Sequence, residues 1–190
     1  MKRPKIWLCN QFANTPDLPG HTRQYEIANG LTKLGWDVEV FSSDFNLSKR
    51  KFLKLKNKKL FLSENVDNIS WNWLRVIPYK SNNWKRYINI ISFDLHLFLH
   101  LFFKGLFNLI KGNQFDIIIS SSPQLPASLV CLLIAKIFRK PFVLEVRDLW
   151  PQVLIELGGF SRDHFMIKAL YDLEKKLYSE SNLLIVLAKG

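Results

Sequence analysis

Cysteine is scarce in this chain: Cys9 and Cys131 are the only two among 190 residues. Each lies in an apolar run and neither has a partner at metal-ligand spacing, which argues against a zinc module. The pair reads as two reduced core thiols, as a reducing cytoplasm would keep them. Acidic residues are also in short supply, 16 against 27 Lys and Arg, for a net charge of +11. That excess points to an anionic partner: nucleic acid, acidic lipid headgroups or a phosphate-bearing substrate. The N-terminus, MKRPKIWLCNQF, has bases but no long apolar stretch, which argues against a secretory signal. There is no GxGxxG, no internal repeat and no Pro/Ser-rich linker. A nicotinamide or flavin reading is therefore weak, and one domain spanning residues 1–190 is expected.

Apolar residues, by contrast, are plentiful: 48% of the chain, with 15 Phe and 6 Trp. That is enough for one domain with a real core, and too many for a disordered chain. Strand-like and helix-like runs alternate. Strands are expected over 5–9, 37–41, 69–77, 115–120, 142–146 and 183–187. Helices are expected over 22–34, 84–111, 125–138 and 164–180. Tyr25, Ala28, Leu31 and Leu34 share one face of the first helix, and Gly35 follows it as a helix-ending glycine should. Residues 42–68 show no clean period. Strands without polar alternation, separated by helices, predict a parallel sheet covered on both faces. Ligands in such sheets bind at the carboxyl ends of the strands.

Three loops fall at those ends. The first reads NQFANTPDLPGHTRQ, with Gly20 and His21 where a helix begins. A glycine there lets a ligand approach the backbone, and free helix N–H groups favour an anion. An ordinary βα turn fits equally well, with Thr22 near the cap and Arg23 a solvated charge. The second loop, SSSPQLPAS, places Ser121, Ser122 and Gln124 at the sheet edge. These groups suit sugar hydroxyls, and they suit helix capping. The third, LEVRDLWPQ, crowds Glu145, Arg147, Asp148 and Trp150 onto the end of an apolar strand. Asp148 suits a hydrogen bond from a substrate hydroxyl, or a general base, and Trp150 suits an apolar floor for a sugar ring. An Arg147–Asp148 structural network is the plainer reading.

Two further stretches bear on surfaces. Residues 84–111 form a long apolar helix interrupted by Asp94, His96, His100 and Lys104, so a clean transmembrane span is a poor reading. A core helix and a helix lying in a membrane interface, with Lys85, Arg86 and Lys111 at its ends, both stand. His96 and His100 are four apart, but no third metal ligand is evident. Residues 49–59 hold seven Lys or Arg, including Lys49, Arg50 and Lys51. They read as a solvated loop, or as one dipping Phe52, Leu53 and Leu55 into anionic lipid. No nucleic-acid-binding motif is present.

Four segments carry a resemblance: PGHTRQYEIANGLTKLGWDVEVF, FDIIISSSPQLPAS, KPFVLEVRDLWPQ and LYDLEKKLYSESNLLIVLAKG. In this order they resemble the N-terminal half of retaining GT-B glycosyltransferases of glycosyltransferase family 4. The likeness is closest to WbuB-like amino-sugar transferases of bacterial O-antigen and capsule assembly. The resemblance implies a Rossmann-like acceptor-binding domain and a metal-free, cofactor-free transfer from a nucleotide-sugar. The acceptor would be a polyprenyl-diphosphate-linked saccharide at the inner face of the plasma membrane. Gly20 matches the loop glycine near the donor diphosphate, followed by His21. Arg147 and Asp148 match the RD pair facing the cleft, with Asp148 placed to orient a sugar rather than to act as a nucleophile. The family's E-x7-E motif is absent from the sequence, and Ala188 stands where a Ser is usual. The expectation is a chain inactive alone, lacking the donor-binding domain. It would be either a truncation or one half of a split enzyme, paired with a separate subunit as a non-catalytic membrane adaptor. A fragment of a GT-B sugar-nucleotide epimerase is a further alternative.

Overall fold

A computed structural model describes residues 3–56, 59–81 and 84–187. Lys58 and Ala188 lie outside the described residues. The fold is α/β and Rossmann-like, with a seven-stranded, mostly parallel sheet flanked by helices. In chain order the elements are β1 (Lys5–Cys9), α1 (Arg23–Lys33), β2 (Asp37–Ser43), β3 (Phe45–Asn46), β4 (Lys51–Phe52), β5 (Phe61–Val66) and β6 (Ile69–Leu74). There follow α2 (Lys85–Ile110), β7 (Ile117–Ser121), α3 (Leu125–Phe138), β8 (Phe142–Val146), α4 (Gln152–Glu156), α5 (Phe165–Glu180) and β9 (Leu183–Val186). The sheet order is β5-β6-β2-β1-β7-β8-β9, and every pairing except β5–β6 is parallel.

The two cores follow from strand periodicity. Along β1, Ile6 and Leu8 enter the cluster on the α1 side, while Trp7 and Cys9 enter the larger cluster under α2 and α3. Trp7 stacks on Phe115 with centroids 4.0 Å apart and meets Phe41 edge-on at 5.4 Å. Such pairs contribute about 0.5–1.5 kcal/mol beyond area burial. Cys9 and Cys131 are both buried and free of disulfides, and burial pushes the Cys9 thiol well up.

Several expectations need correction. The stretch 42–68 is structured. β3 and β4 form a small hairpin, and β5 adds an antiparallel edge whose residues alternate exposed and half-buried. Its exposed positions include Phe61, so the period of two does not show as an apolar/polar alternation. Asp44 organises the hairpin: its carboxylate accepts the backbone N–H groups of Leu53 and Lys54, at 3.0 and 2.7 Å, and of Leu55. Leu55 is buried, and Phe52 lies under the Arg75 guanidinium at 4.6 Å. Phe52 and Leu55 of the basic run therefore pack against the two core clusters. Expected strand 69–77 ends at Leu74, and α4 is a helix where none was expected. Residues 183–187 read as a buried strand, yet all four residues of β9 are exposed. Among the described residues nothing pairs with its outer edge.

Helix α2 serves two environments. Phe93, Leu97 and Leu101 are fully buried at four-residue spacing. At Gly105 a Cβ would lie 2.5 Å from the Phe138 ring, so the glycine lets α2 approach α3. Burial pushes the Asp94 carboxyl up to about 7, and its Oδ1 has no hydrogen-bond partner. Burial, with Lys104 and His96 adding, pushes His100 down to about 4.

These two groups oppose each other. Between about 4 and 6.5, folded Asp94 holds a proton that the unfolded chain has released, which lowers stability as pH rises. Folded His100 lacks a proton that the unfolded chain holds, which raises stability as pH rises. Each slope is at most about 1.4 kcal/mol per pH unit. Asp94→Asn removes one slope only. Urea unfolding of the variant is expected to show stability climbing across that window while the parent stays nearly flat. Parallel pH profiles for the two proteins would contradict this.

Candidate functional site

The strand order reverses at β1. The chain leaves β1 for β2 on one side and later crosses through α2 to β7 on the other. In open α/β sheets the crevice at such a reversal, beyond the carboxyl ends of the strands, is where ligands bind. The loops after β1 and β7 meet there. The Gln11 backbone N–H donates to Gln124 Oε1 at 2.9 Å, and Gln124 Nε2 donates back to Gln11 Oε1. Gln11 Nε2 donates to Asn89 Oδ1 at 2.8 Å, which adds the start of α2 to the same network. All three side chains are buried, so these bonds are costly to lose.

The loop glycine sits in a tight place. Gly20 has φ +139°, and a Cβ there would lie 2.3 Å from Asn14 Nδ2. The loop is pinned by Asn14 N–H to His21 O at 3.0 Å and by Asn46 Nδ2 to Pro19 O at 2.6 Å. Gly20 and the exposed His21 line a small cleft of about 100 Å³ together with Asn14, Ser43 and Phe45.

A second cleft, about 240 Å³, opens over β7, β8 and β9 beside α1. Its polar wall is Arg23, Gln24, Ser121 and Glu145, and its apolar wall includes Ile27, Ile119 and Ile185. Glu145 is 3% exposed. Arg23 Nε and Nη2 both reach Glu145 Oε1 at 2.6 Å, and Ser121 Oγ donates to Oε2 at 2.5 Å. Gln24 Nε2 donates to Ser121 Oγ at 3.3 Å, leaving Gln24 Oε1 without a partner.

The turn after β8 is held by one hydroxyl. Ser122 Oγ accepts from the backbone N–H groups of Arg147 and Asp148, at 2.8 and 3.2 Å, and donates to Asp148 O at 3.1 Å. The Asp148 side chain is left exposed. Arg147 Nε is buried without a hydrogen-bond partner. An orphaned guanidinium donor is a demanding group, best satisfied by a phosphate or carboxylate oxygen.

The three loops thus share one sheet edge, and hydrogen bonds link His21's neighbour Arg23 through Glu145 and Ser121 to the Ser122–Asp148 turn. No one cleft contains them all. Arg23 is not a solvated charge but the partner of a buried acid. Ser121, Ser122 and Gln124 do not cap α3, since Gln124 at the N-cap position makes no capping bond. They are spent instead on holding the loops together. Arg147 and Asp148 form no ion pair with each other among the described residues, so the plain structural network between them does not exist. Trp150 is half-buried against the larger core cluster and offers only part of its ring. Lys49, Arg50, Lys51, Lys85 and Arg86 are all exposed, and none of them lines either cleft. His96 Nδ1 lies 2.9 Å from Arg75 O, and no cluster of three metal-ligating side chains occurs among the described residues.

Glu145, Gln11 and Asn89 were not expected as site residues. An acid inside an apolar strand was a legible signal that a partner must exist. The two amides gave none, because nothing in a periodic pattern marks a loop contact. The chain matches no protein-family model and no curated protein.

Removing one partner of a buried ion pair costs about 3–5 kcal/mol, and the exposure of Arg23 reduces that here. Arg23→Ala is expected to lower unfolding stability by roughly 1–3 kcal/mol. Adding Glu145→Gln to it should recover part of that loss, with a coupling energy of about 1–2 kcal/mol in a double-mutant cycle. Strict additivity would mean that the pair carries no energy.

Proposed function

We propose that this domain is the acceptor-binding half of a sugar transferase, taking a polyprenyl-diphosphate-linked saccharide and presenting it to a nucleotide-sugar held by a second domain or chain. The observation that carries the reading is the convergence of the Gly20–His21 loop, the Ser121–Ser122 turn and the Arg147–Asp148 turn on one strand edge at the topological switch point. The resemblance to glycosyltransferase family 4 gives that edge its chemistry. In this reading Arg147 turns its unsatisfied donor to a phosphate oxygen, and Asp148 accepts a hydrogen bond from a sugar hydroxyl and so orients it. Asp148 forms no covalent bond with the sugar. Stabilisation of the departing diphosphate falls mainly to the donor-binding side. The chain alone therefore binds without transferring.

The exposed apolar strand β9 and the cleft beside it favour a second, related reading. Here the domain is one half of a split enzyme, and a separate polypeptide packs against Leu183 and Ile185. Transfer activity appearing only on mixing with a donor-binding chain distinguishes this from a continuous two-domain enzyme.

The test is binding. A short-chain polyprenyl-diphosphate N-acetylhexosamine in detergent micelles should bind this chain, and Asp148→Asn or Arg147→Met should each weaken binding by about ten-fold or more without loss of folding. Equal binding of parent and variants would remove the site. Preferential binding of a free nucleotide-sugar would favour the epimerase alternative.

A further inference from the structure

Helix α2 presents a second face to solvent, opposite the one buried on the sheet. Tyr87, Ile91, Leu95, Leu99 and Phe103, spaced four apart, are 44–63% exposed, and Phe107 and Ile110 continue the stripe at 55% and 79%. Between Arg86 and Lys111 every Asp, His and Lys side chain is at least partly buried. Asp94, the only acid in α2, is among them, and Lys104 pairs with the buried Glu39 at 2.7 Å. The exposed face is thus a strip about 35 Å long, at 1.5 Å per residue, with no exposed charge. Leu133 and Ile137 of α3, which packs against α2, are exposed as well.

Bases frame the strip at both ends. At the start of α2 stand Lys85 and Arg86, and Arg50 of the β3–β4 hairpin donates to Lys80 O in the segment that leads into the helix. Lys49, Arg50, Lys51 and Lys80 are all exposed. At the far end, Lys111 lies 4.2 Å over the Phe107 ring.

We propose that this strip lies lengthwise in the headgroup–acyl boundary of an anionic bilayer, with the basic hairpin and helix ends on the lipid phosphates. By length and composition α2 is able to cross a membrane, but a span would pull Phe93, Leu97 and Leu101 out of the core. Lying flat keeps the core intact and buries only the exposed side. A second copy of the chain is a poor occupant, because it would set one +11 molecule and its basic rims against another. A bilayer offers the opposite charge and demands no shape complementarity from a convex helix. The orientation has a consequence for the candidate site. α2 starts at the carboxyl-end side of the sheet, after β6, so the basic cluster and the switch-point crevice share one edge and the crevice opens close to the headgroups.

The experiment uses vesicles with no lipid-linked saccharide, so its outcome is independent of the transferase reading. The full chain is expected to float with phosphatidylcholine–phosphatidylglycerol vesicles and far less with phosphatidylcholine alone. Leu95→Ser with Phe103→Ser, both at exposed positions, should weaken binding at least about ten-fold. Replacing Lys49, Arg50 and Lys51 by Ser should abolish most of the preference for the anionic vesicles. A polarity-sensitive dye on Phe103→Cys should shift to the blue on binding, while the same dye on Glu26→Cys, on α1, stays in an aqueous environment. A Phe103 label that remains aqueous on bound protein overturns the proposal. So does dimerisation without vesicles that the Leu95→Ser/Phe103→Ser variant abolishes, which would assign the strip to self-association.

Discussion

A carboxylate buried at the end of a strand must be paired, and the pairing of Glu145 organises the candidate binding edge of this domain. Burying a lone charge costs several kcal/mol even after relaxation. Here the guanidinium of Arg23 and the hydroxyl of Ser121 meet that demand. The three residues come from the start of α1, the end of β7 and the end of β8, so satisfying one acid fixes where three elements terminate. Ser122, next in the chain, then holds the backbone of Arg147 and Asp148. The amide pair Gln11–Gln124 does the same on the other side of the switch point, reaching α2 through Asn89. Polar groups that sequence patterns offer equally to ligands are in fact scaffolding, and at this edge the Asp148 carboxylate, one Arg147 donor and Gln24 Oε1 keep unused capacity among the described residues.

Helix α2 shows a related division of labour. Its buried face supplies Phe93, Leu97 and Leu101 to the core and, through Gly105, lets α3 approach closely. Its outer face is as apolar as its inner one. A soluble helix normally turns charges outward, and α2 instead keeps Asp94 and Lys104 from full exposure along its flanks. The two sequence readings of this helix, core element and interfacial element, describe its two sides.

The four long helices and the parallel strands were legible because their signals are periodic. The limits of α3 and β8 agree with the sequence reading to the residue, since proline and a sharp change in polarity bound both. The region 42–68 was not legible. Its order comes from Asp44 gathering three backbone N–H groups from residues nine to eleven positions away, a tertiary device without a local signature. β9 was recognised as a strand but not as an exposed one, because apolarity reports what a segment prefers and not what covers it. The three loops do fall at the carboxyl ends of the strands, where the strand pattern puts them. The hydrogen-bond partners of their side chains were not legible, since capping, scaffolding and ligand contact draw on the same residue types.

On the reading proposed above, the carboxyl ends of β1, β7 and β8 form one binding wall. Hydrogen exchange of the full chain with and without a lipid-linked diphosphate saccharide tests it most directly. The account predicts added protection in residues 20–24, 121–125 and 145–150 together, with the β5–β6 hairpin unchanged. Protection absent from those three segments, or confined to one of them, would contradict it.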